Sequence, residues 1–272
     1  MLSQKSFIFI SIFAFLILSI YVGLYLFQYK LLFYPTVLDA NHKFKFNGPF
    51  EEKTITYGNN QSISALLFKP TAAKSRILYF HGNGQALDSW GFVAEELAQK
   101  YNSEILIIDY PGYGKSSGGV AKSEAQLLDS AQAAFDFFKV TTNDKLPIII
   151  YGRSLGSGIA SYIASKNLVQ GLVLETPYVS IKKMARIYIP IIPEFIVNYN
   201  LDNLVSLKDL KTPIIILHGT SDEVIPYNQS QQLAQEYPKL EFVTIETAGH
   251  NNLAEFSLYW KSMDKFLEMV TR

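Results

Sequence analysis

The sequence predicts an α/β fold in which a mostly parallel sheet is flanked by helices. Short, continuous apolar runs recur along the chain, and segments with helical periodicity separate them. Continuous apolar strands, unlike alternating ones, are typical of strands that are buried on both faces, as in a parallel sheet covered by helices. With an N-terminal segment set aside, a chain of 272 residues has room for one such domain with a large core.

An uncharged apolar stretch over residues 7–27 comes first. At about 1.5 Å per residue it is long enough to cross a hydrocarbon layer of about 30 Å, so we predict an uncleaved, single-pass membrane anchor. A cleaved signal peptide is the alternative, but the stretch exceeds the about 7 to 15 apolar residues of such a peptide, and no small-residue cleavage site follows it. Lys5 precedes the stretch, whereas Lys30, Lys43 and Lys45 follow it, which favours a cytoplasmic domain but leaves the side of the membrane open.

The predicted α/β domain covers residues 37–272 and begins with a hairpin. Two alternating segments, residues 52–57 and 62–69, flank Gly58-Asn59-Asn60, which suits a tight reversal. The continuous apolar strands then follow at residues 76–80, 104–109, 147–151, 171–175, 213–218 and 241–245. The predicted helices between and after them span residues 87–100, 123–138, 157–165, 228–236 and 253–270. This alternation indicates the α/β class.

The alternation breaks between residues 175 and 213. Residues 187–197 combine branched and aromatic side chains with Pro190 and Pro193. Because prolines interrupt long helices, we expect short helical pieces there. An excursion of this length between strands commonly covers an active site, so we expect a short apolar cap, with packing on the domain body as the alternative.

Charge and cysteine content exclude several classes of function. Lys plus Arg and Asp plus Glu both number 24, without a basic run, so we expect no nucleic-acid partner. The chain has no cysteine, and therefore no disulfide, thiolate metal site or cysteine nucleophile. Gly114-Lys115-Ser116 resembles the end of a phosphate-binding loop, but that pattern requires a glycine where Asp109 stands. We therefore predict no cofactor.

The most informative motif is Gly152-Arg153-Ser154-Leu155-Gly156, which lies between an apolar strand and a helical segment. A serine flanked by glycines at this spacing suits a sharp strand-to-helix turn, because Cβ atoms at the flanking positions would collide with neighbouring elements. Such a turn exposes the hydroxyl at the end of the sheet. The motif therefore makes Ser154 a candidate nucleophile.

An acid and a histidine also follow predicted strands. Asp222 comes four residues after strand 213–218, and His250 follows the last strand. Ligands of open α/β sheets bind outside the carboxyl ends of the strands, so these residues are expected near Ser154. Histidine titrates in the range needed to activate a serine, and a carboxylate fixes its tautomer. Glu175, which also ends a strand, is the alternative acid.

A metal site is the competing interpretation of the polar residues at these strand ends. No paired ligand spacing supports such a site, and histidines that precede glycine at strand ends are by default structural, so we predict no metal. The residues concerned are His81, His218, His250 and Asp222.

Taken together, the motifs resemble the α/β-hydrolase superfamily. More narrowly, they resemble the bud-emergence-like branch of membrane-anchored serine hydrolases, whose members often carry Phe-Tyr-Pro after the anchor. The resemblance runs from about Phe33 to the C-terminus and rests on Phe33-Tyr34-Pro35, His81-Gly82-Asn83-Gly84, the segment 109–116, the serine motif, the segment 218–226 and Gly249-His250-Asn251. It implies Ser154 as nucleophile, Asp222 as acid and His250 as base. It also implies an oxyanion hole made by the backbone amides of Leu155 and Asn83.

The expected function is hydrolysis of a carboxylic ester or thioester through an acyl-serine intermediate. The substrate is expected to be a small acyl ester or thioester, and membrane anchoring makes lipid-derived acyl groups reasonable. Two alternatives stay open: a serine peptidase of the aminopeptidase-like type, because the same residues cleave amides, and a non-catalytic binding protein on the same fold.

Overall fold

The computed structural model describes residues 4–58, 60–141 and 145–272. Its strands form one sheet: β1 (Phe50–Tyr57), β2 (Gln61–Phe68), β3 (Ser75–Phe80), β4 (Ser103–Ile108), β5 (Ile148–Arg153), β6 (Gly171–Glu175), β7 (Ile214–Gly219) and β8 (Glu241–Ile245). Their order in the sheet is β1-β2-β4-β3-β5-β6-β7-β8. β1 pairs antiparallel with β2, and β2 antiparallel with β4, whereas every later pairing is parallel. The predicted mostly parallel sheet, led by an antiparallel hairpin, is confirmed. Asn59, in the predicted reversal of that hairpin, lies outside the described residues.

Helices cover both faces of the sheet, as the continuous apolar strands predicted. The helices that the structure describes are α1 (Gln4–Leu32), which has no buried residue, and α2 (Leu87–Tyr101), α3 (Glu124–Thr141), α4 (Leu155–Lys166), α5 (Ile181–Tyr188), α6 (Asn203–Leu207), α7 (Asn228–Glu236) and α8 (Ser257–Val270). Alternate residues of one strand serve opposite faces: Leu78 and Phe80 join one buried cluster, whereas Ile77 and Tyr79 join the other. β3, in the middle of the sheet, is therefore buried from both sides.

Three predicted helices differ from the observed ones by more than one residue. The predicted helix 123–138 is observed as α3, which ends three residues later, at Thr141. The helix after the serine motif begins at Leu155, two residues earlier than predicted. The last predicted helix is divided into a 3-10 turn, Leu253–Glu255, and α8.

The excursion between β6 and β7, called the cap below, consists of α5, a 3-10 turn at Glu194–Ile196, and α6. These are the short pieces that Pro190 and Pro193 predicted.

The apolar helix α1 continues beyond the predicted stretch of residues 7–27 and ends at Leu32. Among the described residues it is the one helix long and apolar enough to be a candidate membrane span. Phe33, which follows it, is buried against Tyr199 of the cap excursion, with ring centroids 5.3 Å apart. The next residues pair with the domain through bridges from Pro35 to Gln85 and from Val37 to Gly114. The chain thus joins the packed body at Phe33, four residues before the boundary predicted at residue 37.

Candidate active site

Ser154 occupies the turn between β5 and α4. Its backbone has φ 53° and ψ −119°, a conformation that L-residues rarely adopt. The amide of Ser154 donates a hydrogen bond to the carbonyl oxygen of Glu175 on the neighbouring strand, at 2.9 Å. This bond ties the strained turn to the sheet, so the serine hydroxyl is held at the carboxyl end of the strands.

The two glycines of the serine motif are required by close contacts. A Cβ atom at position 152 would lie 2.5 Å from the carbonyl oxygen of Gly156. A Cβ atom at position 156 would lie 2.1 Å from the carbonyl oxygen of Phe80. Because both obstacles are backbone atoms, no side-chain movement could relieve them. The steric argument made from the sequence therefore holds in the structure.

Ser154, His250 and Asp222 form one hydrogen-bonded chain. The Nδ1 atom of His250 lies 2.8 Å from Oδ2 of Asp222, and its Nε2 atom lies 3.0 Å from Oγ of Ser154. An ionised carboxylate only accepts hydrogen bonds, so Nδ1 must carry the proton that it donates to Asp222. Nε2 is then free to accept the hydroxyl proton of Ser154. Both His250 and Asp222 are buried, which shields the hydrogen bond between them from water.

The carboxylate of Asp222 is unusually well supplied with donors. Its Oδ1 atom accepts from the amides of Val224 and Ile225 at 2.8 and 2.7 Å, and its Oδ2 atom lies 3.1 Å from Nε2 of His218 as well as near His250. Burial works to raise the pKa of Asp222, but the hydrogen bonds from His218, His250 and the Ile225 amide hold it well below its ordinary value. The carboxylate thus stays negative beside the ring of His250.

Glu175, the alternative acid, does not reach the ring of His250. Its carboxylate pairs with Nε of Arg153 at 3.1 Å and accepts the hydroxyl protons of Tyr151 and Tyr259. Arg153 in turn donates to the backbone carbonyl of His250 at 3.3 Å. Glu175 therefore positions Arg153, which in turn holds the loop that carries His250.

The loop of Asn83 lies against Ser154, because a Cβ atom at Gly82 would stand 3.5 Å from the Cβ atom of Ser154. The side chain of Asn83 fixes this loop. Its Oδ1 atom accepts from the hydroxyl of Tyr113 at 2.7 Å and from the amide of Tyr34 at 3.2 Å. On the opposite side of the serine, Leu155 is the first residue of α4, so its amide has no acceptor within the helix. The two predicted oxyanion-hole residues therefore flank Ser154.

His81 is kept away from the hydrogen-bonded chain. Its Nδ1 atom lies 2.7 Å from the carbonyl oxygen of Gly82, and its ring packs on Trp90 and Tyr110. Burial lowers the pKa of His81 to about 4, so the ring is neutral at physiological pH. The strand-end histidines are thus divided, with His81 supporting its own loop while His218 and His250 both contact Asp222.

A cavity of about 590 Å³ opens at Ser154. Most of its lining is apolar and comes from four places: the end of α1 and the residues just after it, the Asn83 and Ser154 loops, the excursion between β6 and β7, and the loop after β7. The lining residues are Leu24, Gln28, Leu31, Leu32, Tyr34, Asn83, Ser154, Leu155, Tyr178, Ile181, Met184, Ala185, Tyr188, Ile189, Ile192, Ile196, Val197, Tyr199, Val224 and Ile225. Residues 187–197, which the sequence predicts to form an apolar cap, supply part of this lining.

Sequence reasoning missed the residues of α1 that line this cavity and the contact of His218 with Asp222. A local signal existed for the second, since His218 precedes Asp222 by four residues at the end of a strand. The first carried no decisive local signal, because the apolar residues 7–27 do not indicate which face packs on the domain, and Gln28 just after them is equally compatible with the membrane interface.

Known proteins of similar sequence include α/β hydrolases. The family profile described as serine aminopeptidase, S33, matches residues 71–207, about half of the chain. The α/β hydrolase domain-containing protein WAV2 of Arabidopsis thaliana is 25% identical over 272 residues, covering 89% of this chain and 88% of that protein. An uncharacterized membrane protein of Saccharomyces cerevisiae is 26% identical over 228 residues, covering 80% of each.

Solved structures show the same fold at lower identity. The esterase Pf2001 of Pyrococcus furiosus superposes with a TM-score of 0.71 at 16% identity, covering 89% of this chain and 98% of that one. Est1E of Butyrivibrio proteoclasticus, solved with bound ferulic acid, gives a TM-score of 0.65 at 19% identity, covering 79% of this chain and 99% of that one. At such identities the likeness extends to the fold alone.

Proposed function

Because the chain belongs to the serine aminopeptidase (S33) family of α/β hydrolases, we propose that it is a membrane-anchored serine hydrolase that cleaves carboxylic esters or thioesters. The observation that carries the proposal is the position of the His250 ring. One ring nitrogen is within hydrogen-bond reach of the Ser154 hydroxyl and the other is within reach of the Asp222 carboxylate. A base held in this way activates a serine hydroxyl, which is a weak nucleophile by itself.

The proposed reaction has two halves. In the first, Oγ of Ser154 attacks the substrate carbonyl carbon while Nε2 of His250 takes the hydroxyl proton. The tetrahedral oxyanion is stabilised by the amides of Leu155 and Asn83, and the alcohol or thiol leaves with the proton from His250. In the second half, water attacks the acyl-serine, again losing its proton to His250, and the carboxylic acid is released as Ser154 regains its proton.

Two observations support an acyl substrate of lipid origin. The cavity beside Ser154 is lined mainly by Leu, Ile, Val and Met side chains, which suits an apolar chain. In addition, α1 has the length and composition of a membrane span, and one relative is named a membrane protein. Ser154 therefore lies beside an apolar cavity, in a chain that carries a candidate membrane anchor.

The family description favours a second candidate, a serine aminopeptidase. Such an enzyme must recognise the protonated amino group of a peptide, for which a carboxylate is the usual partner. The lining residues that the structure describes around the cavity include no Asp or Glu. This composition favours the uncharged end of an acyl group over a free amino terminus.

The test combines a serine-directed fluorophosphonate probe with two substrate series, acyl p-nitrophenyl esters and aminoacyl p-nitroanilides, on full-length protein in detergent. We expect labelling of the wild type, no labelling of Ser154→Ala, and hydrolysis of esters in preference to anilides. Absence of labelling in folded wild-type protein would identify a non-catalytic binding protein. Faster cleavage of the anilides would establish the aminopeptidase instead.

A further inference from the structure

The apolar helix α1 is not uniform along its length. Its side chains from residue 7 to residue 20 are all exposed. After residue 20 one face leaves solvent, at Tyr21, Leu24, Gln28 and Leu32. These spacings of three and four residues define a single stripe along the helix. The last three turns of α1 therefore pack against the domain through one face.

That face borders the cavity at Ser154. Leu24, Gln28 and Leu32 line it together with the cap residues Ile192 and Ile196. Both α1 and the cap therefore form part of the cavity wall. Without α1 the cavity would lack a wall and would lie open beside the serine.

Gln28 joins the two walls. Its Oε1 atom accepts from the amide of Asn198 at 2.6 Å, and its Nε2 atom donates to the carbonyl oxygens of Ile196 at 3.0 Å and Tyr25 at 2.9 Å. A side-chain amide in an apolar helix is costly unless its donors and acceptor are satisfied. Here they are satisfied largely by the cap backbone, so the Gln28 amide links α1 to the cap.

Two further bonds connect α1 with the site. The hydroxyl of Tyr21 donates to the carbonyl oxygen of Ile191 in the cap at 3.4 Å. The Nδ2 atom of Asn83 donates to the carbonyl oxygen of Leu32 at 2.6 Å. Since Asn83 flanks Ser154, the end of α1 is attached both to the cap and to the loop beside the nucleophile.

The free part of α1, residues 4–20, is about 26 Å long, somewhat less than the about 30 Å of a hydrocarbon layer. Inserting it brings the packed turns and the cap to the membrane interface. The cap exposes large apolar side chains there, with Ile191 78% and Phe195 82% exposed. These side chains continue the apolar surface of the helix, so the occupant that fits this rim is the bilayer itself.

We propose that the last three turns of α1 are part of the acyl-binding site, with Leu24 as a specificity-determining residue and Gln28 as a positioning residue that holds the cap against the helix. The substrate class is a long-chain acyl ester or thioester drawn from the bilayer, whose chain occupies the cavity lined by α1 and the cap beside Ser154. This inference rests on the proposed hydrolase function. It adds that the membrane helix selects the acyl chain as well as anchoring the protein.

The test uses full-length protein in lipid nanodiscs and p-nitrophenyl esters from acetyl to palmitoyl. Leu24→Trp fills the cavity from the helix side, whereas Leu26→Trp places the same ring on a side chain that is 56% exposed, and serves as the matched control. We expect Leu24→Trp to lower the ratio of kcat/KM for the decanoyl ester to kcat/KM for the acetyl ester by about tenfold, the loss expected from burying roughly two fewer methylene groups. Leu26→Trp should leave this ratio unchanged. If Leu24→Trp fails to fold, Leu31→Trp makes the same test from the neighbouring lining position.

Gln28→Leu tests the positioning role, because leucine keeps an apolar wall but removes the bonds to the cap. We expect KM for the decanoyl ester to rise about tenfold relative to KM for the acetyl ester, and trypsin to cleave faster after Arg186 in the loosened cap. Equal ester ratios for Leu24→Trp, Leu26→Trp and the wild type, in protein that still hydrolyses long-chain esters, would overturn this inference and leave the hydrolase function standing. Failure of the wild type to label or to hydrolyse any ester would instead overturn the proposed function.

Discussion

Nε2 of His218 lies 3.1 Å from Oδ2 of Asp222, the same oxygen that Nδ1 of His250 approaches at 2.8 Å. The other ring nitrogen of His218, Nδ1, lies 2.6 Å from Oγ of Ser230. The ring is completely buried and is held at both nitrogens. Asp222 therefore stands between two histidines, one directed towards Ser154 and one directed away from it.

Replacing His218 is expected to change the pH dependence of hydrolysis. In His218→Phe, Oδ2 of Asp222 loses a donor, so the pKa of Asp222 rises and the carboxylate interacts more strongly with protonated His250. We expect the acid limb of kcat/KM to move to higher pH by roughly half a unit or more, since a hydrogen bond to a charged group is worth about 1.5–3 kcal/mol. His218→Gln, whose amide can still donate, should move it less. Identical pH profiles for both variants and the wild type would assign His218 to packing alone.

The acid itself is tested by comparing Asp222→Asn with Glu175→Gln on one short-chain ester. Asparagine at position 222 presents a donor to Nδ1 of His250 and so favours the wrong tautomer, for which we expect kcat to fall by about 10⁴-fold. Glu175→Gln removes the ion pair with Arg153 but keeps a side chain that can hydrogen-bond to Arg153 and Tyr151. Because Glu175 acts on His250 only through Arg153, we expect a smaller loss, of about tenfold or less. A larger loss in Glu175→Gln would transfer the role of the acid to that residue.

The approach of Ser154, His250 and Asp222 could be predicted from the sequence because each follows a strand. The carboxyl ends of parallel strands share one edge of the sheet, so residues far apart in the chain converge there. The glycines at 152 and 156 identified the turn, since only glycine fits against the backbone at these positions. Their arrangement thus follows from local patterns, whereas their catalytic roles stay predictions until the variants are assayed.

The wall formed by α1 could not be predicted in this way. Gln28 and Asn198 are 170 residues apart, and no sequence pattern around either residue indicates that the two are in contact. A polar residue at the end of an apolar helix is equally compatible with the membrane interface. Which residues face the cap depends on how the helix packs, and packing is a tertiary property that hydropathy does not encode.

Buried Asp109 provides a prediction about stability. Burial raises the pKa of its carboxyl well above the ordinary value, although the amide of Leu87 donates to Oδ1 at 3.1 Å. The folded state then binds more protons than the unfolded state above about pH 4, so this group lowers the free energy of unfolding as the pH rises, by about 1.4 kcal/mol for each unit by which its pKa is raised.

Asp109→Asn keeps the acceptor for Leu87 and removes the titration, so we expect it to raise the melting temperature at pH 7 more than at pH 4. Thermal unfolding in detergent measures the difference, and Asp136→Asn, at an exposed position, is the control for which no pH-dependent difference is expected. An equal change at both pH values would contradict the argument from burial.

The candidate membrane span is tested by extraction. We expect full-length protein to sediment with membranes and to resist high salt, because salt screens charges but does not weaken burial of an apolar helix. Detergent should release it. Release of intact protein by salt alone would show that α1 does not span the bilayer.

The cap offers a pair of neighbouring isoleucines for testing acyl-chain selection. Ile192 lines the cavity, whereas Ile191 is directed to the outside and is 78% exposed. A methylene buried in an apolar pocket contributes up to about 0.8 kcal/mol, so kcat/KM of the wild type should rise over several added carbons and then level off.

A charge at Ile192 is expected to abolish that rise. In Ile192→Asp the carboxylate either stays in the cavity and repels the chain or draws water into it, so long-chain esters should lose far more than the acetyl ester, which barely enters the cavity. Ile191→Asp carries the same charge on the outer side. Assayed in detergent, where no bilayer contributes, it should retain the wild-type dependence on chain length. If the two variants behave alike, or if the wild type prefers acetyl esters, the cap packs on the domain without selecting the acyl chain, and a small-ester or peptide substrate takes the place of a lipid-derived one.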